Sequence, residues 1–323
     1  MSVLKKIFFF VSFFYIPIVF YGQGDTASVV ENFSKKNYVQ PYIGTFSRSL
    51  LFNSNEKKDG MHNILFSPNS APFAGLSLSY KKVNLYLEAS LPNTELVNKE
   101  NTSVRSVSLF AHHFKEKFGI TAFASYNKGL LMYMPNNETY GDRNDLRMIT
   151  IGAHLYTIFN GKQFSYSAAN SLTKLQTKSR GSVMLMVSPV FRRLFSTESI
   201  LPDSLRQFHL NGAVTPSNSL QFVALQCRPG YTYNFVFNHG KYFIAPAVYV
   251  GGGTEYHSYK SGDQWHKGFN YTTGYRIKTV AGVNAKSDFL SLEFLRDSNT
   301  SYLYKTNIRN TYTEMSCNFG FRF

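Results

Sequence analysis

The chain has 323 residues, a formal charge of +15, and 30 Phe and 22 Tyr against a single Trp. Two cysteines exclude a disulfide scaffold, and the absence of a helix-length apolar stretch beyond the amino end excludes a helical membrane protein. The positive charge is scattered and forms no basic helix, which argues against a nucleic-acid partner for an exported chain; phosphates of outer-leaflet glycolipid, a cationic lumen or a solvated loop surface account for it better.

At the amino end, Lys5 and Lys6 precede an apolar run over 7–21 and the small-x-small site Gly22-Gln23-Gly24. This is the form of a secretory signal peptide cleaved after residue 24. The run is short for a membrane helix, which needs about 20 apolar residues. No cysteine stands at the cleavage point to carry a lipid. Residues 25–323 remain as a single expected domain.

Beyond residue 38 the pattern is strand after strand. The first runs over 39–52. Short turns then join pairs of strands: Lys81-Lys82 between 74–80 and 83–89, Lys115-Glu116-Lys117 between 104–114 and 118–130, and Asn160-Gly161 between 146–159 and 162–172. Asn238-His239-Gly240 joins 231–237 to 241–250, and Lys286-Ser287-Asp288 joins 271–285 to 289–295. Longer polar stretches lie between these hairpins, at 53–61, 92–102, 135–145, 173–180, 196–219, 257–268 and 298–309. Short turns on one rim and long loops on the other predict an all-β fold, an antiparallel transmembrane β-barrel of about 12–14 strands in the outer membrane. A further strand near 205–213 would give fourteen; a merged or missing strand gives twelve.

Side-chain parity assigns the two faces. In 242–253 the residues Tyr242, Ile244, Val248 and Val250 share one face, and Ala245, Ala247 and Tyr249 the other. Gly251 and Gly253 read there as a bulge or bend. In 271–285 Tyr275, Ile277, Ala281 and Val283 oppose Arg276, Lys278 and Asn284, and in the next strand Leu290, Leu292 and Phe294 oppose Ser291 and Glu293. The last strand sets Met315, Cys317, Phe319, Phe321 and Phe323 against Glu314, Ser316, Asn318, Gly320 and Arg322. A charge on a lipid face costs about 2–4 kcal/mol at the midplane. Arg276, Lys278, Glu293, Glu314 and Arg322 are therefore expected in the lumen, as a structural charge ladder or an anion-selective constriction. Met315, Phe319, Phe321 and Phe323 are expected to face lipid and to form the strand that the barrel assembly machinery reads. Cys227 and Cys317 read as small apolar fillers.

The ordered motifs Phe66-Ser67-Pro68-Asn69-Ser70, Gly75-Leu76-Ser77-Leu78-Ser79-Tyr80-Lys81, Arg143-Asn144-Asp145-Leu146 and Tyr156-Thr157-Ile158-Phe159-Asn160 carry a resemblance. Lys162 to Ala169, Lys178-Ser179-Arg180-Gly181-Ser182, Pro229-Gly230-Tyr231-Thr232-Tyr233 and Phe243-Ile244-Ala245-Pro246 continue it. Together they resemble the domain-of-unknown-function family 4421, exported barrel-like proteins of gram-negative bacteria, over nearly all of the mature chain. The resemblance implies an outer-membrane barrel and no reaction, ligand or catalytic residue. Arg180 departs from the small residue that the family places before Gly181.

Chemistry is sparse. His112 and His113 are adjacent in a strand and face opposite ways. His154 has no carboxylate beside it in sequence. His257 and His266 flank Asp263 at a spacing that matches no metal motif, and Asp142 and Asp145 read as turn caps. No catalytic residue, cofactor or metal ligand is expected. The leading expectation is a passive pore or structural barrel, with a preference for anions through Arg276, Lys278 and Arg322. The alternative is a plugged barrel whose long loops hold a surface or periplasmic protein partner. A membrane-embedded hydrolase ranks third.

Overall fold

The computed structural model describes residues 29–33, 37–54, 63–67, 71–80, 83–92, 105–133, 139–200, 218–261, 264–303 and 306–323. The expected signal peptide, the extra strand near 205–213 and Asp263 lie outside these. The described strands are β1 (Val30–Asn32), β2 (Tyr38–Ser54), β3 (Asn63–Ser67), β4 (Ala71–Tyr80), β5 (Val83–Ser90), β6 (Arg105–Phe114), β7 (Phe118–Tyr133) and β8 (Thr139–Ile158). A one-turn helix α1 (Tyr166–Asn170) follows, then β9 (Lys174–Gln176), β10 (Arg180–Phe195), β11 (Ser219–Phe237), β12 (Tyr242–Ser261), β13 (Gln264–Asn284), β14 (Asp288–Leu303) and β15 (Thr306–Arg322).

Antiparallel pairing runs from β2 through β4, β5, β6, β7, β8, β10, β11, β12, β13 and β14 to β15, and β15 pairs back onto β2. The result is a closed barrel of twelve strands, the lower of the two counts expected. Closure leaves no unpaired edge, the condition for crossing a bilayer with strands. The last ladder sets Cys317 beside Ile43 and Glu314 beside Phe46.

The wall changes composition along its height. β5 and β6 are short. Beyond their ends, and that of β4, β3 takes the place of all three, pairing with β2 at Leu50–Asn53 on one side and with β7 at Leu131–Tyr133 on the other. The ring therefore has twelve strands on the short-turn side and ten near the opposite rim.

The outer surface is continuous oil. On β11 the outward positions are Val223, Leu225, Cys227, Pro229, Tyr231, Tyr233, Phe235 and Phe237. From Val223 to Phe237, at about 3.3 Å per residue and a tilt of about 40°, this covers roughly 35 Å, enough for the bilayer core and both interfaces. Exposed Tyr80, Phe118, Phe159, Phe237 and Tyr242 form a girdle at the turn side. Trp265, Phe269 and Tyr271 form its counterpart, with Tyr271 stacked on Tyr302 at 4.4 Å. Met315, Phe319, Phe321 and Phe323 are all exposed on the outer face. Cys227 and Cys317 are free thiols on that face as well, small side chains among the apolar ones.

Several sequence expectations are corrected. Asn160-Gly161 does not turn one wall strand into another: residues 162–172 hold α1 and fold into the barrel mouth, and the next wall strand is β10. Ser165 explains the helix, since its hydroxyl caps the Ala168 backbone N–H at 3.2 Å. The stretch 173–180 therefore sits on the turn side, and β9 in it pairs with β1. The expected loops 257–268 and 298–309 are largely strand, because β12–β13 and β14–β15 continue pairing to Ser261↔Gln264 and Leu303↔Thr306. Outside the membrane a strand no longer needs an apolar outer face, so polarity there did not signal a loop. At 251–253 there is no bulge: the β12–β13 register is unbroken. A Cβ on Gly253 would sit 1.9 Å from the Leu225 carbonyl oxygen, so the glycine serves close strand approach.

Candidate functional site

The inward faces repeat one sequence of layers from strand to strand. On β8, read from the turn side, Ile158 and Tyr156 give way to His154 and Thr150, then to Met148 and Leu146. On β15 the order is Arg322, then Asn318, Glu314 and Tyr312, then Ile308. Apolar groups close the lumen near both rims, and polar groups line a chamber between them.

The layer beneath the loop rim consists of side chains from the wall itself. Phe52, Phe66, Met132 and Leu146 are fully buried in it, joined by Leu194, Leu220 and Ile308. Gly129 adopts φ +86° and the β7–β8 register shifts between Lys128 and Leu130. This bulge reverses the parity of β7, so Leu130 and Met132 point inward above a strand whose inward residues were Asn127 and Ser125. Ile200 enters the layer from outside the wall. It is anchored by Arg143, which donates to the Ile200 and Ser199 carbonyls at 2.6 and 2.9 Å and grips Asp145 at 2.8 and 3.0 Å. Ser196 completes the anchor, donating to Asp145. Asp145 is thus a partner of the anchor and not a turn cap; the Asp142 side chain lies outside the described set.

The layer at the turn side is made differently. Phe164, Tyr166, Ala169 and Leu172, from the segment around α1, pack against the inward Tyr156, Tyr249 and Phe243. Arg322 fastens the segment. Its guanidinium donates to the Leu172 carbonyl at 2.6 Å, to Asn284 Oδ1 at 2.5 Å and to the Ala285 carbonyl, and lies over the rings of Phe33 and Phe289 at 3.8 and 4.7 Å. Asn284 also donates to the Lys174 carbonyl at 3.2 Å.

Between these layers lies a chamber of about 160 Å³. Arg48, Arg192, Arg228, Arg276 and Lys278 line it, and so do Glu88, Glu255, Glu293, Asp297 and Glu314, so the formal charges cancel. Asp297 bridges Arg228 and Arg276 at 3.1 and 3.0 Å, and Lys278 pairs with Glu293 at 2.7 Å. Arg228 also donates to Gln226 and Asn299. Glu88 accepts from Tyr42 at 3.1 Å, and Glu314 from Tyr312 at 2.6 Å.

Of the residues singled out in the sequence, Arg276, Lys278, Glu293 and Glu314 come together in this chamber, whereas Arg322 belongs to the turn-side closure. Sequence reasoning missed Arg48, Glu88, Arg192, Arg228, Glu255 and Asp297. Parity bookkeeping extended to every strand would have found most of them: Arg228, for example, sits between outward Cys227 and Pro229. His154 does have a charged neighbour. Its Nδ1 lies 2.8 Å from Ser188 Oγ and its Nε2 lies 3.0 Å from an Arg276 nitrogen. Arginine can only donate, so Nε2 accepts and Nδ1 carries the proton toward Ser188. This tautomer leaves no lone pair to deprotonate the serine, the opposite of an activated nucleophile. His257 and His266 lie on paired strands, on either side of Tyr259 with rings stacked at 6.3 and 5.0 Å. Among the described residues no group of His, Cys, Asp or Glu forms a metal-binding cluster.

No curated protein matches the chain. Among solved structures it is similar to the outer membrane protease OmpT from Escherichia coli, at 7% identity over 90% of this chain and 98% of that one, TM-score 0.40. It is also similar to the COG4313 outer membrane channel from Pseudomonas putida F1, at 9% identity over 93% and 100%, TM-score 0.39. The P. putida toluene transporter TodX follows at 7% identity over 89% and 90%, TM-score 0.30. The barrel assignment rests on this chain's own strand pairing and lipid-facing surface. The model of the family described as a domain of unknown function, DUF4421, matches residues 25–323, and the chain belongs to that family.

Proposed function

We propose that the protein is an outer-membrane channel for small polar solutes, resting closed, whose polar chamber is the middle of the path. The observation that carries this reading is the chamber itself. Ten Arg, Lys, Asp and Glu side chains are held inside a barrel where an inert scaffold would place apolar filling or simple ladders. An apolar layer stands on each side, so conduction requires the layers to part. Anion preference finds no support in the balanced lining, and the expected selectivity between monovalent anions and cations is close to unity. The chain reaches its place through a signal peptide cleaved after residue 24 and through a terminal strand, with Phe319, Phe321 and Phe323 outward, that suits recognition by the barrel assembly machinery. Outer-leaflet glycolipid is the expected neighbour of its basic surface. It acts without a catalytic group.

The test is conductance of refolded residues 25–323 in a planar bilayer, with folding checked by faster migration of unboiled protein on a denaturing gel. Infrequent openings are expected from the unaltered chain and frequent ones from Arg322→Met combined with Phe66→Ala, which together unfasten the turn-side closure and thin the loop-side layer. Silence of both folded proteins would reject the channel and favour a plugged barrel that holds a partner at its surface.

A further inference from the structure

We infer that the outer wall across β6, β7 and β8 binds the phosphorylated headgroup of an outer-leaflet glycolipid, with Arg105, Lys128 and Arg147 as its phosphate ligands. The inference gives a place and a chemistry to the glycolipid neighbour proposed above. It rests on the barrel crossing the outer membrane with its long loops outside, and is independent of whether the lumen conducts.

The strand register brings the three cations together. Arg105 pairs with Lys128, and Lys128 pairs with Arg147. Their face is the lipid face. Arg105 shares its side of β6 with exposed Val107 and Leu109, whereas Ser106 and Ser108 between them are buried. Lys128 shares its side of β7 with exposed Tyr126, and Arg147 shares its side of β8 with exposed Ile151. Three positive charges stand in one row, two ladder steps or roughly 10 Å long. Arg193, one strand further round on β10, is exposed and holds its guanidinium over Phe195, the residue paired with Arg147.

Like charges directly opposite one another on adjacent strands destabilise a sheet. Among the described residues no carboxylate forms an ion pair with any of these four cations. Other outward arginines of the wall are arranged differently. Arg296 is flanked by Ile277 and Thr313 and donates to the Tyr275 hydroxyl at 3.1 Å. Arg309 is flanked by Thr300 and Leu51 and donates to the Thr300 hydroxyl at 3.4 Å. Neither has a cation opposite it. The row is a local concentration of charge whose repulsion an anion would relieve.

The height of the row identifies the anion. Phe118, in the turn-side girdle, and Lys128 lie on the same strand, and the rise between them is roughly 25 Å at a tilt of about 40°. That is the height of the apolar band of an outer-membrane barrel. The row therefore meets the headgroups of the outer leaflet. Exposed Val107, Tyr126 and Ile151 lie below it on the lipid face, so a ligand seated here has phosphate above and acyl chains beneath. Guanidinium groups take phosphate oxygens in pairs, and the lysine adds a compact charge between them. Three cations in a row suit a headgroup with more than one phosphate better than a singly charged phospholipid.

The test is titration of the refolded mature barrel in neutral detergent with bisphosphorylated lipid A, its dephosphorylated form and phosphatidylglycerol, bound lipid being counted by native mass spectrometry. The bisphosphorylated lipid should bind the unaltered chain at least tenfold more tightly than either of the others. The triple change Arg105→Ser, Lys128→Ser and Arg147→Ser should weaken that binding at least tenfold, and Arg296→Ser with Arg309→Ser by less than twofold. Lys128→Ser alone, at the centre of the row, should weaken it at least threefold and serves if the triple variant does not fold by the gel-mobility criterion. Without lipid, the folded triple variant should keep its fast gel mobility to at least the parent's temperature, because the repulsion is gone. Equal binding of the dephosphorylated lipid or of phosphatidylglycerol, or unchanged binding by the folded variants, would overturn the inference. So would a folded triple variant that melts below the parent, since the charges would then be satisfied within the chain. A barrel that inserts into neutral-lipid vesicles without this preference loses only the site, whereas a chain that never inserts loses the membrane reading beneath it.

Discussion

The two closures of the lumen are built on opposite plans. The loop-side layer is part of the wall: Phe52, Phe66, Leu130 and Met132 project from strands whose backbone hydrogen bonds hold the cylinder together. The turn-side layer is an added piece, the segment carrying α1, tucked into the mouth and fastened by Arg322 and Asn284. A closure made of wall residues opens only if strands or rotamers shift. A tucked segment can leave while every barrel ladder stays paired. The turn-side layer is therefore the natural moving part, and the loop-side layer the natural contributor to barrel stability.

The largest expected effect probes the wall-built layer. Phe66→Ala removes a fully buried ring, and such truncations cost about 3–5 kcal/mol. The temperature at which unboiled protein loses its fast gel mobility should fall clearly. An unchanged temperature would mean that the loop-side layer is not structural. Arg322→Met probes the tucked segment. Hydrogen bonds to a charged group are worth about 1.5–3 kcal/mol each, so losing the one to Leu172, and the one that orients Asn284 toward Lys174, should loosen the segment. Here protease should cut within 159–179 from the turn side while gel mobility is retained. If barrel melting and cleavage rise together, the two closures are not independent. The smallest effect is at the bulge. Gly129 holds φ +86°, and Gly129→Ala should cost about 1 kcal/mol. That change should lower barrel stability slightly and leave protease access at the turn side untouched.

The same comparison explains what could be read in the sequence. Closure and outer surface were legible because lipid imposes strict alternation, and β11 through β15 obey it along most of their length. The lumen was legible only where charge stood alone against an apolar partner face, as at Arg276 and Lys278. Arg48 in β2 has Ser47 and Ser49 as neighbours, so no contrast marks it as inward. The tucked segment was misread because Asn160-Gly161 is a strong local turn signal, whereas the helix it leads to is capped by Ser165 and held by long-range packing on Tyr156 and Tyr249. A Ser followed by Tyr-Ser-Ala-Ala was the available warning, since a capping residue ahead of small residues is a helix start. The Gly129 parity reversal was hidden for a simpler reason: a single glycine within Lys128-Gly129-Leu130 looks the same whether or not it bulges.

The change in strand number along the axis carries a consequence of its own. A barrel's bore grows roughly in proportion to its strand count, and near eight strands side chains alone can fill it. The collar in which β3 stands in for β4, β5 and β6 is ten strands around, narrow enough for Phe, Met and Leu from its own circumference to meet in the middle. The base is twelve around, and its inward side chains are joined by an inserted segment that packs on Tyr156, Tyr249 and Phe243. The molecule is a tapered vessel with a self-sealing neck and a stoppered base.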